Sequence, residues 1–149
     1  MTRAPPFLDD FLPYRLSFTS NLVSEQIARA YQSLFGLTIP EWRLIAVTAE
    51  EGETTQQRIC ARTRMDKVTV SRAAIALTER ALLARGPNPD DKRSHLLTLS
   101  ADGRALYAAV APKAKAMEAE IFSCLSAQER ETLIRLLRAV GRHVDPSGS

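Results

Sequence analysis

The stretch that most restricts how this chain can fold runs from Thr54 to Leu99. After Asp66, apolar residues recur at Val70, Ala74, Leu77 and Ala81, that is at i, i+4, i+7 and i+11. This is the helical period, and it puts one apolar stripe on one face. Asp66 suits the N-cap, where a short carboxylate accepts from the open amides of the first turn. The preceding residues predict another short helix over about Thr55 to Thr63, with Ile59 as its core residue. Cys60 and Ala61 are small enough there for a close helix crossing. Arg64–Met65–Asp66 is the length of a tight interhelical turn. Beyond the second helix, Leu82, Leu83 and Arg85 predict a short strand. Gly86, Pro87, Asn88, Pro89, Asp90 and Asp91 are turn formers, and His95 to Leu99 predicts the returning strand. Two short helices at a tight turn thus lead into a two-stranded ribbon with a basic tip.

The second helix presents Lys67, Val68, Thr69, Ser71 and Arg72 on the N-terminal half of its outer face. These residues offer cations, hydroxyls and exposed methyl groups. Base edges in a DNA major groove complement all three: guanine O6 and N7 for Arg or Lys, the thymine methyl for Val or Thr. An acidic or purely apolar outer face would have argued against that partner.

The run Lys67–Val68–Thr69–Val70–Ser71–Arg72, the Asp91–Lys92–Arg93 tip, and Leu97–Thr98–Leu99–Ser100 leading to Gly103 together resemble the MarR family of winged helix-turn-helix regulators. The resemblance implies an α+β, mostly α fold: a winged helix-turn-helix with long N- and C-terminal dimerisation helices. It implies a homodimer on a pseudo-palindromic double-stranded DNA operator, acting as a repressor released by a small effector. By the same resemblance Lys67, Val68, Thr69, Ser71 and Arg72 read the major groove. Arg93 enters the minor groove, Asp91 orients the wing loop, and Lys92 meets phosphate. Thr54, Thr55 and Gln57 are candidates to donate to phosphate at the start of the first short helix, and helix capping accounts for Thr54 equally well. Two positions depart from the family's pattern. Arg64 stands where the turn normally has Gly, and Ala81 replaces a common Gly before the first wing strand. Arg64 must therefore avoid or bear a strained backbone.

Charge agrees with this placement. The net charge is +3, and residues 54–100 hold nine Lys/Arg against four Asp/Glu, so the excess is concentrated in the segment expected to meet phosphate. A solvated basic face would give the same count, so charge alone decides little. There is no apolar run of the roughly 18 residues a membrane span needs, and no signal-peptide core follows Met1 to Pro6. A cytoplasmic location is expected, with Cys60 and Cys124 as reduced thiols.

Both ends of the chain predict helices. Residues 1–7 read as disordered, and a helix from Asp9 or Pro13 to Phe35 carries the seam Leu16, Val23, Ile27, Ala30 and Leu34, closed by Gly36. Another helix opens at Ile39–Pro40–Glu41 and ends near Glu51–Gly52. Ser100 caps a long helix reaching Leu125 with Pro112 inside it. Ser126 and Glu129 form a capping-box pattern before a final helix faced by Leu133, Leu136, Leu137 and Val140, with Gly141 to Ser149 fraying. Residues 1–38 and 101–149 are expected to form the dimerisation module and 39–100 the DNA-binding domain.

In the family, effectors sit between these modules. Tyr14, Arg15, Ser17, Phe18 and Asn21, with Trp42 and Arg43, are the candidates, and aromatic rings beside arginine suit an aromatic carboxylate or an acyl thioester. Phe18 and Trp42 serve equally well as ordinary core. No metal-ligand spacing, phosphate loop, nucleophile elbow or triad is present, so neither a cofactor nor an enzyme is expected. Two other readings compete with the ligand-responsive regulator. A cysteine-based redox sensor or thiol enzyme would need a reactive Cys60 or Cys124, and Cys60 beside Ile59 reads as an inert core thiol. A winged-helix protein-interaction module would direct its basic wing at an acidic partner, and such modules often lose the recognition-helix polarity this chain keeps.

Overall fold

The computed structural model describes residues 2–148; Met1 of the expected disordered tail and Ser149 of the expected fraying end lie outside the described residues. Two compact units divide the chain between Ile39 and Pro40. In the first, a single 3-10 turn at Leu8–Asp10 leads into helix α1, Leu12–Phe35. Pro13 stands in the first turn of α1, where its missing N–H costs nothing. Gly36 closes the helix in the left-handed region at φ 62°. Of the expected α1 seam, Val23, Ile27 and Ala30 are half-buried, while Leu16 and Leu34 stay exposed.

The second unit contains helix α2 (Ile39–Glu51) from Pro40 onward, α3 (Gln56–Thr63), α4 (Lys67–Glu79), α5 (Ala101–Ile121) and α6 (Ala127–Val144), with strands β1 (Leu83–Pro87) and β2 (His95–Leu99) between α4 and α5. The strands pair antiparallel, Leu83 opposite Leu99 and Pro87 opposite His95. Its fully buried side chains include Leu44, Ile45 and Thr48 of α2, Ile59 of α3, Val70 and Leu77 of α4, Leu97 of β2 and Val110 of α5. Every element but α6 therefore supplies this core. Among the described residues, no helix is long and apolar enough to cross a membrane.

Local chemistry explains most boundaries. Asp66 caps α4 with Oδ1 accepting from the Thr69 amide at 2.8 Å and Oδ2 from the Thr69 hydroxyl at 3.0 Å. Ser126 and Glu129 complete the capping box of α6 reciprocally, at 3.1 and 2.9 Å. Four expectations are corrected. Thr55, not Thr54, caps α3, its Oγ1 accepting from the Arg58 amide at 3.1 Å. Thr54 is buried and pairs with Leu97 through both backbone bonds, 3.1 and 2.8 Å, adding a third rung edge to the ribbon. Gly86 and Pro87 extend β1 rather than forming the turn; Pro87 occupies the last pair, where a missing donor is tolerated. α5 stops at Ile121, four residues before Leu125, and α6 continues through Gly141 to Val144.

The joint between the wing and α5 is the tightest point. The Ser100 amide donates to the Leu82 carbonyl at 3.1 Å. The Ser100 hydroxyl donates to the Ala81 carbonyl at 2.7 Å and accepts from the Gly103 amide at 3.0 Å. A Cβ at Gly103 would collide with the Leu82 carbonyl. Ala81 sits at φ 57° and Arg64 at φ 60°, so both residues that replace an expected Gly do adopt the left-handed backbone.

Opposite outcomes are therefore expected at two neighbouring sites. Gly103→Ala should destabilise the protein by about 2 to 3 kcal/mol in urea unfolding, because the obstacle is backbone. Ala81→Gly should stabilise it by about 0.5 to 1 kcal/mol, since Ala81 is exposed and only its backbone is strained. The α4 cap predicts a pH effect. The Thr69 amide and then the Thr69 hydroxyl hold the Asp66 carboxyl below its ordinary value. A depressed acid contributes stability above its unfolded pKa, about 3.9, and loses it as pH falls through the folded value. Asp66→Asn, still a good cap, should leave the melting temperature at neutral pH nearly unchanged and flatten its decline below about pH 4.

Candidate nucleic-acid interface

The apolar face of α4 buries Val70, Ala73, Ala74 and Leu77, and this turns the opposite face outward. Lys67, Val68 and Arg72 are exposed there, with Val68 58% accessible and Ile75 47%. Burial in the core does not account for a valine this exposed in the first turn of α4. Ser71 is half-buried. Thr69 is also half-buried, and its hydroxyl proton is committed to Asp66, which leaves its methyl and an oxygen lone pair for any partner.

The wing tip is fixed by short side-chain bonds to its own backbone. Asn88 Oδ1 accepts from the Asp90 amide at 3.0 Å, and Asn88 Nδ2 donates to Ser94 Oγ at 2.9 Å. Asp91 Oδ1 accepts from the Arg93 backbone amide at 2.9 Å. Asp91 thus shapes the turn without holding the Arg93 guanidinium, and Lys92 and Arg93 project into solvent. Beside the tip, a groove of about 210 Å³ is lined by Gln56, Gln57, Arg85, Arg93, Ser94 and His95. Gln57 was expected here from sequence. Gln56, Arg85 and His95 were not; Arg85 is exposed although it shares the ribbon face of the buried Leu83 and of Leu97, its cross-strand partner. Thr55 stands at the foot of α3; its oxygen accepts from the Arg58 amide, and its hydroxyl proton is left to donate.

Ion pairing divides the arginines into two sets. Arg58 pairs with Glu51 at 3.0 Å, Arg62 with Glu50 at 2.7 Å and Glu51 at 3.5 Å, and Arg64 with Asp145 at 2.9 Å. Glu51 pays some desolvation, yet the Thr54 hydroxyl beside it and the Arg58 and Arg62 charges hold its carboxyl below the usual range. Lys67, Arg72, Arg85, Lys92 and Arg93 have no acidic partner within 4 Å among the described residues. The α4 face and the wing thus keep exposed cations without an acidic partner, unlike Arg58, Arg62 and Arg64.

The effector candidates divide between the two units. On α1, the Tyr14 and Phe18 rings lie 5.9 Å apart, and the Arg15 guanidinium sits 5.2 Å over Phe18. Asn21 is exposed on the same helix. In the second unit, Trp42 stacks on Tyr107 at 5.6 Å and 15°, a partner the sequence did not single out. Trp42 and Arg43 line a depression of about 340 Å³ with Glu50, Arg62 and Thr63. Cys60 is half-buried rather than sealed in the core, and Cys124 is exposed. No group of His, Cys, Asp and Glu able to hold a metal ion occurs among the described residues.

The comparisons with known proteins agree with this geometry. The MarR family model matches residues 35–94. The transcriptional regulator HosA of Escherichia coli O111:H- is 26% identical over 117 residues, covering 78% of this chain and 87% of HosA. A crystal structure of a probable transcriptional regulator from Pseudomonas aeruginosa is 30% identical, with a TM-score of 0.75 over 87% of this chain and 99% of its own. A third similar protein is BpsR of Bordetella bronchiseptica, whose DNA binding is regulated by 6-hydroxynicotinic acid. It is 25% identical, with a TM-score of 0.84 over 93% of this chain and 98% of its own. The six helices, the two-stranded wing and these matches place the chain in the MarR family of winged-helix, DNA-binding transcriptional regulators, which are not enzymes.

Proposed function

We propose that the chain works as a homodimer on a pseudo-palindromic operator, as a repressor released by a small effector. The observation that carries the DNA reading is the unpaired state of the α4 and wing cations beside Arg58, Arg62 and Arg64, which are ion-paired. A cation left without an internal partner on a rigid, capped element is one whose desolvation on phosphate costs no existing contact. Lys67, Val68, Thr69, Ser71 and Arg72 face the major groove in this reading. Arg93 reaches the minor groove, held in place by the Asp91 turn, and Lys92, Thr55 and Gln57 meet phosphate. The recognition helices of the two subunits occupy successive major grooves about one turn apart.

Dimer formation uses residues 1–38 and 101–149, with 39–100 as the DNA-binding domain. The support is the apolar face of α6: Leu133, Ile134, Leu136, Leu137 and Val140 are all exposed in the single chain, as are Leu12, Leu16, Leu22 and Leu34 of α1. Apolar area of that extent calls for a second copy. The effector is assigned as an aromatic carboxylate, in preference to an acyl thioester, by analogy with the 6-hydroxynicotinic acid that regulates BpsR. Tyr14, Phe18 and Trp42 supply rings, Arg15 and Arg43 guanidinium groups and Asn21 an amide, all of the right chemistry. Linkage requires the effector to bind the DNA-free form more tightly than the DNA-bound form.

Fluorescence anisotropy with DNA from upstream of the protein's own gene, titrated over salt, tests the DNA reading. Specific binding should weaken steeply with salt. Arg72→Ala should lose about 1 to 3 kcal/mol and relax sequence preference, and Arg93→Ala should weaken binding with a smaller loss of preference. Absence of binding at low salt would reject it. Sedimentation should give a dimer, and Leu136→Asp with Leu137→Asp should give monomers that bind operator DNA at least about tenfold more weakly. A dimer unaffected by those changes would move the interface elsewhere.

A further inference from the structure

We propose that a groove between the end of α6 and the α3–α4 joint is a binding site for a small organic dianion, a dicarboxylate or a phosphate monoester. The groove has a volume of about 680 Å³ and is lined by Arg62, Arg64, Arg138 and Arg142, with Asp145 as its only acid. All of these residues belong to the second unit. Its size lies within the range of small-ligand sites, roughly 300 to 1,000 Å³.

The four guanidinium groups differ in what they are free to do. Arg62 is occupied by Glu50 and Glu51. Arg138 and Arg142 stand one helical turn apart on α6, with no acid within 4 Å among the described residues. Like charges at i and i+4 repel, so this pair opposes the helix that carries it unless an anion lies between them. The helix dipole explains a cation at Arg142, in the last turn, and not one a full turn deeper at Arg138. Paired guanidinium groups are suited to bidentate capture of carboxylate or phosphate.

A second negative charge is called for by Arg64. Its side chain is 78% exposed and rests on Asp145 Oδ2 at 2.9 Å. Asp145 does not depend on that contact. Its Oδ1 already accepts from the Ser147 hydroxyl at 2.6 Å and from the Ser147 and Gly148 amides, each at 3.2 Å. These bonds, led by the Ser147 hydroxyl, keep the carboxyl ionised and in place, so an incoming anion can share or replace it on Arg64. The rest of the lining is Ala61, Gly141, Val144 and Gly148, small and uncharged, which suits a carbon spacer. A side chain at Gly141 would meet nothing within 4 Å and would project into the opening.

The site does not rest on the DNA reading, and it is tested without DNA. Isothermal titration of the full chain with succinate, phenyl phosphate and inorganic phosphate, at ionic strength held constant with NaCl, should show saturable 1:1 binding of at least one organic dianion, tighter than about 1 mM. The succinate and phenyl phosphate arms distinguish the two sources of negative charge. Arg138→Gln with Arg142→Gln should weaken binding at least about tenfold, and Arg64→Gln less. Gly141→Met keeps every charge, adds a better helix former and fills the opening, so it should abolish binding while the melting temperature holds. Three results would overturn the proposal: no binding by either organic dianion, binding unchanged in both the double variant and Gly141→Met, or binding matched by NaCl alone. Loss of operator affinity in the double variant without any small-anion binding would assign these arginines to DNA phosphate instead, and would also overturn it.

Discussion

The carbonyl of Leu82 is the point on which the second unit turns. It receives the Ser100 amide, and it approaches Gly103 so closely that no side chain fits there. Three chain directions meet at that atom: the exit of α4 through Ala81, the return of β2 through Leu99, and the entry of α5. The Ser100 hydroxyl bonds both ways across the same gap, to the Ala81 carbonyl and from the Gly103 amide. Arg104 adds a bond from its guanidinium to the Leu99 carbonyl at 2.9 Å. A wing of two five-residue strands would be marginal alone. Anchored here, and widened by the Thr54–Leu97 pairing, it becomes a fixed arm relative to α4.

The same joint shows which features were legible in the sequence. Asp66, Ser100 and Ser126 act within three residues of themselves, so their capping roles follow from local pattern, and all three are found as expected. The core face of α4 follows from periodicity at Val70, Ala74 and Leu77, whereas Ala81, expected on the same stripe, lies beyond the helix and is exposed in the left-handed backbone. Thr54 was unreadable because its partner, Leu97, is distant in sequence and its role depends on a register set by the whole ribbon. The extension of β1 over Gly86 and Pro87 is a tertiary choice that outweighs turn propensity. Tyr107 and Arg85 were missed because nothing local says what lies opposite them. The exposed outer face of α4 was legible, while the commitment of the Thr69 hydroxyl to Asp66 was not.

Arginine use follows a rule that composition conceals. Residues on the α2–α3 side spend their charge internally: Glu50 and Glu51 gather Arg58 and Arg62, bracing α3 against α2. Such exposed pairs add little stability individually. Their more definite effect is to neutralise that side, while the cations of α4 and the wing keep their charge exposed. The acidic pair at the end of α2 thus takes up the arginines of α3.

Arg64 joins these two regions. A glycine there would take φ 60° without strain, and arginine does so at a cost of order 1 kcal/mol. The arginine side chain brings something a glycine cannot: a reach to Asp145, beyond the end of α6. The turn between α3 and α4 is thereby tied to the last turn of the chain. Whatever engages Arg64 from the α6 side therefore bears on the backbone that leads into α4. The strain is then explained as the condition for a contact between two elements that the winged segment alone would leave separate.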